Sequence, residues 1–157
     1  MVFMESPKRP PSRGIKSKES LQFDYDKLPM SLNARWEPED ILKIIFPPQL
    51  QKVQYEIATK LLRFLSEKRE ARGREIEEWA AGNSISNSTL RNLVIPKLVR
   101  VGLLARERRN PTGQGEKDKR HEMVLVLSKR FGEAFQHIGR EWNAIVETWR
   151  VKSREQT

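Results

Sequence analysis

The chain has no cysteine and only two histidines, His121 and His137, set far apart in its 157 residues. The first absence excludes a disulfide framework, a thiolate zinc site and a cysteine nucleophile. The second leaves no imidazole cluster of the kind a metal centre needs. Long apolar runs are missing as well, and no window approaches the roughly 18 to 20 apolar residues of a membrane-spanning helix. The first twenty residues carry basic groups and prolines where a secretion signal would carry its apolar stretch. Acidic groups are the scarcer charge, 21 against 30 Lys plus Arg, for a formal net charge of +9. The excess positive charge favours a polyanionic partner, nucleic acid or an acidic membrane surface, and charge alone does not choose between them. Taken with the motifs below, the expectation is a cytoplasmic protein without metal or cofactor and without a membrane partner.

Composition changes in blocks along the chain. Residues 1–20 hold Lys8, Arg9, Arg13, Lys16 and Lys18 among prolines and serines; with few apolar groups to offset ordering entropy, they read as a disordered basic arm. Residues 21–49 are mildly acidic yet rich in large apolar groups, including Phe23, Tyr25, Leu28, Trp36 and the run from Ile41 to Phe46. So much apolar surface in a short segment reads as a strap packed on the body or on a protein partner. Pro47 and Pro48 close it and offer a helix start.

From Leu50 the positions Leu50, Val53, Ile57, Leu61, Phe64 and Leu65 recur at three- and four-residue spacing, which predicts a helix with one buried face ending in the polar stretch 66–72. A shorter helix fits Glu75 to Ala81, with Ile76 and Trp79 inward and Gly82-Asn83 as its stop. Ser86-Asn87-Ser88-Thr89 then offers several N-cap oxygens for a third helix over 86–101, whose inner face is Leu90, Leu93, Val94, Leu98 and Val101 and whose stop is Gly102. Pro96 lies inside that helix and predicts a kink or a bulge. Two strands, 103–109 and 121–128, flank the polar turn-forming segment 110–120. A last helix spans Lys129 to Arg154.

The order helix, helix, helix, hairpin, helix predicts a mainly α fold with a small β-hairpin. The run from Ile85 to Asn92, followed by Leu98, Gly102-Leu103-Leu104 and Arg106, resembles the recognition-helix signature of winged helix-turn-helix regulators. Val126 to Phe135 is similar to the last wing strand and first turn of the C-terminal helix in the MarR and PadR types. The likeness covers about residues 50–150, with a winged-helix domain at 50–128 and a dimerisation helix at 129–154. It implies a duplex DNA-binding transcriptional regulator.

The residues support that expectation on physical grounds. A capped helix end presents N–H groups to phosphate, and its short polar side chains reach base edges in the major groove. Ser86, Asn87, Ser88, Thr89, Arg91 and Asn92 are such side chains, with Arg91 first for guanine or phosphate and Asn92 for adenine; Lys97 follows further along. The hairpin adds Arg106, Arg108, Arg109, Lys117, Lys119 and Arg120 against Glu107, Glu116 and Asp118, a net of +3 over 106–121. Such a loop suits the DNA backbone or minor groove.

On the last helix Phe131, Phe135, Ile138, Trp142, Ile145 and Trp149 step by 4, 3, 4, 3 and 4 residues. This is a heptad seam, and it predicts a homodimer. A protein-interaction or architectural factor in a replication, repair, transcription or chromatin complex is the alternative, resting on the strap. An enzyme is the least expected class: Pro111 to Lys117 lacks the Gly-Lys-Ser/Thr of a phosphate loop and no helix follows it, and Glu77 and Glu78 point apart on a helix.

Overall fold

Proline at the first helical position and acids in the first turn start helix α1, Pro38–Ile45, in a computed structural model that describes Leu21, Leu28, residues 33–109 and residues 122–156. The Glu37 N–H donates to the Asp40 carboxylate at 2.9 Å, and Glu39 and Asp40 sit at the positive end of the helix. Leu42 and Ile45, with Phe46 just beyond, are buried in the main core. Part of the strap is thus a helix of the body. The basic arm 1–20 and the segment 110–121 lie outside the described residues.

The Pro47 carbonyl accepts from the N–H groups of Leu50 and Gln51, and helix α2 follows at Lys52–Lys68. Its buried stripe is Ile57, Ala58, Leu61 and Leu65. Leu50 and Val53, expected on that stripe, are exposed, so the buried face begins a turn later than the spacing suggested. Arg69 takes a left-handed φ of 69° and reverses the chain into strand β1, Glu70–Arg72. The sequence placed the helix end within the polar stretch 66–72, where it falls, but carried no sign of a strand. Three residues of poor strand propensity pair nonetheless, because β3 offers them a ladder and Ala71 is fully buried on forming it.

Helix α3, Gly73–Gly82, buries Ile76 and Ala80 and half-buries Trp79, which stacks on Phe64 of α2 with ring centroids 5.0 Å apart. The Glu75 carboxylate accepts from the Arg72 N–H at 3.1 Å and meets Lys68 at 3.1 Å. Those two contacts, the backbone N–H first, hold the Glu75 carboxyl below its ordinary range.

After a turn at 83–86 a continuous helical stretch runs in three parts: α4 (Asn87–Thr89), a π-helical segment (Leu90–Val94) and α5 (Ile95–Val101). The expected bulge is present, on the N-terminal side of the proline. Pro96 has no N–H for the i→i−4 ladder, and the Ile95 N–H reaches back five residues to the Leu90 carbonyl. Gly102 stops the helix with φ of +90°. Its N–H donates to Val99 O and the Leu103 N–H to Leu98 O, satisfying the last-turn carbonyls.

Strands β2 (Leu104–Arg109) and β3 (Glu122–Leu127) complete a three-stranded antiparallel sheet of order β1-β3-β2. The predicted hairpin is therefore part of a larger sheet, with β3 central. Paired residues share a face, so Leu104, Arg106 and Arg108 lie with Leu127, Leu125 and Met123, while Ala105, Glu107 and Arg109 lie with Val126, Val124 and Glu122. The first face holds Leu104, Leu125 and Ala71 of the core and looks toward the helices.

Helix α6, Arg130–Glu155, has 26 residues and none fully buried. It is tied to the body at its start: the Phe131 N–H donates to Gly102 O at 3.1 Å, the Ser128 N–H to Leu103 O at 2.9 Å, and Phe131 is packed against the core. No described helix is long and apolar enough to cross a membrane.

Candidate nucleic-acid interface

The start of the 87–101 helix faces outward. Ser86 is its N-cap: the side-chain Oγ accepts from the Thr89 N–H at 3.3 Å, and the residue itself is exposed. Asn87 and Ser88 are exposed and Thr89 is half-buried. One turn on, Asn92 is exposed and its Nδ2 donates to Ser88 Oγ at 3.2 Å, an i,i+4 pair lying along the outer surface. Leu90 and Val94 are fully buried beneath them, which fixes the rotation of the helix about its axis.

Arg91 projects from the same end with its side chain 48% exposed and forms an ion pair with Glu77 of α3. Fourteen residues separate the two, and nothing in the sequence marked Glu77 as a partner. An exposed pair of this kind is worth at most about 1 kcal/mol, so it orients Arg91 without withdrawing it from an incoming anion. Beside it, a cavity of about 360 Å³ is lined by Arg91 and Ile95 of the helix, Arg106 of β2, Ile76 of α3 and Met123 to Leu125 of β3. Arg91 and Arg106 therefore belong to one concave surface between helix and sheet.

Strand alternation divides the three described arginines of β2. Arg106 and Arg108 share the helix-facing side of β2, both are exposed, and neither has an ion-pair partner among the described residues. Arg109 is on the opposite face and meets Glu70 at 2.6 Å and Glu107 at 3.2 Å. Hydrogen bonds to Glu107 and then Glu70 raise the guanidinium pKa above its ordinary value, so its charge is already balanced by the protein's own carboxylates. Arg72 and Glu122, 3.6 Å apart, extend that ion-paired face. Lys117, Lys119 and Arg120 lie outside the described residues.

Lys97 must be withdrawn from the set. It is 1% exposed, its Nζ donates to the Ile45 carbonyl at the end of α1, and it stands 5.0 Å from the centroid of the Phe46 ring. Desolvation lowers its pKa to about 8. Regular helical spacing already placed it inward: Lys97 stands seven residues after Leu90 and three after Val94, both fully buried, and that spacing did not support a place on the outer surface.

Of the seam residues, Phe131 is half-buried at the base of α6 with Phe135 against it, centroids 4.6 Å apart. Ile138, Trp142, Ile145 and Trp149 are exposed, Trp142 by 57% and Trp149 by 61%. The two indoles meet edge to face at 6.2 Å. No cluster of His, Asp or Glu able to hold a metal occurs among the described residues. No family model matches the chain, and comparison with curated proteins and with solved structures returns no match.

Proposed function

We propose that the chain is a homodimeric winged-helix protein that binds duplex DNA and acts as a transcriptional regulator. The observation that carries the reading is the outward, capped, carboxylate-poor edge Ser86 to Asn92, seated by Leu90 and Val94, with Arg91 and Arg106 on one concave surface beside it and Arg108 on the same face of β2. In this reading the helix enters a major groove with Arg91 and Asn92 on base edges and the serine hydroxyls on the backbone. Arg106 and Arg108 lie along the adjacent phosphates. The sheet order β1-β3-β2, with the short strand β1 between α2 and α3, supports a winged arrangement. The exposed apolar seam of α6 supports a dimer, which would present two helices to two half-sites.

Selection of bound sequences from a random duplex pool tests the reading, with a two-fold-related site as the expected outcome. A second reading, a protein-interaction or architectural factor, draws on the compensation of Arg91 and Arg109 by neighbouring carboxylates. It predicts weak, sequence-indifferent binding and no enriched site.

A further inference from the structure

The homodimer of the preceding section leaves open which way the two copies of α6 run, and the side chains on the seam decide it. If the helices paired in parallel and in register, identical residues would meet: Phe135, Trp142 and Trp149 would each face their own copy, while Ile138 and Ile145 would each face another isoleucine. Layers of two indoles would then alternate with layers of two aliphatic groups, and a single interhelical distance cannot satisfy both. If the helices run antiparallel about a centre at residue 140, every layer is mixed: Trp142 meets Ile138, Phe135 meets Ile145, and Trp149 meets Phe131. The layers then have similar volumes along the whole seam. Gly132, Gly139, Ala134 and Thr148 flank it with small side chains that permit close approach.

A second, independent feature lies at the base of α6. An apolar cavity of about 330 Å³ is lined by Leu28, Trp36, Ile41, Ile44, Phe131 and Phe135. In the antiparallel register the residues brought against Phe131 and Phe135 are Trp149 and Ile145 of the second copy. The exposed indole at the far end of one helix therefore meets the apolar hollow at the base of the other.

We propose that α6 pairs antiparallel with a second copy of this chain, and that Trp149 of each copy fills the cavity between α1 and the start of α6 on the other. The exposed seam side chains contribute about 100 Å² each, roughly 1,000 Å² over both copies, which reaches the lower range of stable interfaces before the cavity walls are counted. Phe131 and Trp149 are eighteen residues apart, so the two bases stand about 27 Å from each other, on the order of the spacing of one DNA turn. The arrangement rests on the homodimer reading.

The absence of native cysteine makes cross-linking decisive. In the full chain, Phe135→Cys with Ile145→Cys is expected to give a disulfide-linked dimer under oxidation, because those positions face each other across the antiparallel seam. Within one helix they lie about 15 Å apart, too far to bridge. Ile145→Cys alone is expected to give none, its two copies being about 15 Å apart along the seam. Covalent dimer from Ile145→Cys alone would establish the parallel pairing and overturn the proposal. So would a dimer in light scattering that neither variant cross-links. A monomer at micromolar concentration would remove the homodimer itself. Because Trp149 is exposed in the protomer, Trp149→Asp leaves the fold intact, as circular dichroism would record, and is expected to weaken dimerisation roughly thirtyfold; unchanged dimer affinity would overturn the docking of that indole.

Discussion

Lys97 gives the sharpest test of how the strap joins the body. Its ammonium is enclosed between α5 and α1, with one backbone carbonyl and the face of one ring as partners. These recover less than water would supply, and the folded-state pKa falls to about 8 from an ordinary value near 10.4. Below pH 8 the folded chain carries the charge against that desolvation. Between about pH 8 and 10.4 the folded chain has released the proton while the unfolded chain still binds it, so stability rises with pH across this window. A shift of this size corresponds to about 3 kcal/mol. Lys97→Met keeps most of the packed volume and removes the titration. Urea unfolding of both proteins from pH 7 to 10.5 is expected to show the stability of the native chain climbing by about 3 kcal/mol relative to the variant. A difference that stays flat with pH would mean the ammonium is hydrated in solution and that α1 does not seat on α5 as described.

Other substitutions probe the remaining parts. Gly102→Ala places a Cβ 2.7 Å from the Phe131 nitrogen at a φ of +90°, and a loss of about 2 kcal/mol or more in thermal or urea unfolding is expected. Arg91→Ala is expected to cost about 1–3 kcal/mol on a selected DNA site and much less on random duplex; equal losses on both would restrict Arg91 to phosphate contact. Glu77→Gln removes the carboxylate that Arg91 must share, and a two- to fivefold tightening of DNA binding is expected, about 0.5–1 kcal/mol. Replacing Arg106 and Arg108 together with Ala is expected to reduce the salt slope of binding by about 2, whereas Arg109→Ala leaves it nearly unchanged because that guanidinium faces Glu70 and Glu107.

Features written in local periodicity were legible in the sequence. The helical spacing of Ile57 to Leu65, the glycine stop at 102, the apolar run Met123 to Leu127 and the long helical pattern of α6 are local signals, and the helix, the stop, the strand and the last helix each form. Pro96 announced a departure from regular helix because a missing N–H is a local fact, although the bulge lies before the proline. What could not be read depended on partners distant in sequence. β1 has no strand signature of its own and exists through its pairing with β3. α1 was seen only as an apolar run, since its length and its proline start gave no period to count. Lys97, by contrast, was legible: it is seven residues after Leu90 and three after Val94, so helical phase placed it inward, against its inclusion among the DNA contacts. The pairing of Arg91 with Glu77 and of Arg109 with Glu70 joins elements whose packing no spacing rule foretells. Separating Arg106 and Arg108 from Arg109 required only strand alternation, and that signal was present in the sequence.

The central claim is that the edge from Ser86 to Asn92 reads duplex DNA. Incubating the full chain with a random duplex pool at physiological salt, recovering the bound fraction and sequencing it tests this most directly. An enriched motif with two related half-sites, lost when Arg91 and Asn92 are both replaced by Ala, is the predicted result. A recovered pool indistinguishable from the input, or a motif that persists unchanged in the double variant, would contradict it.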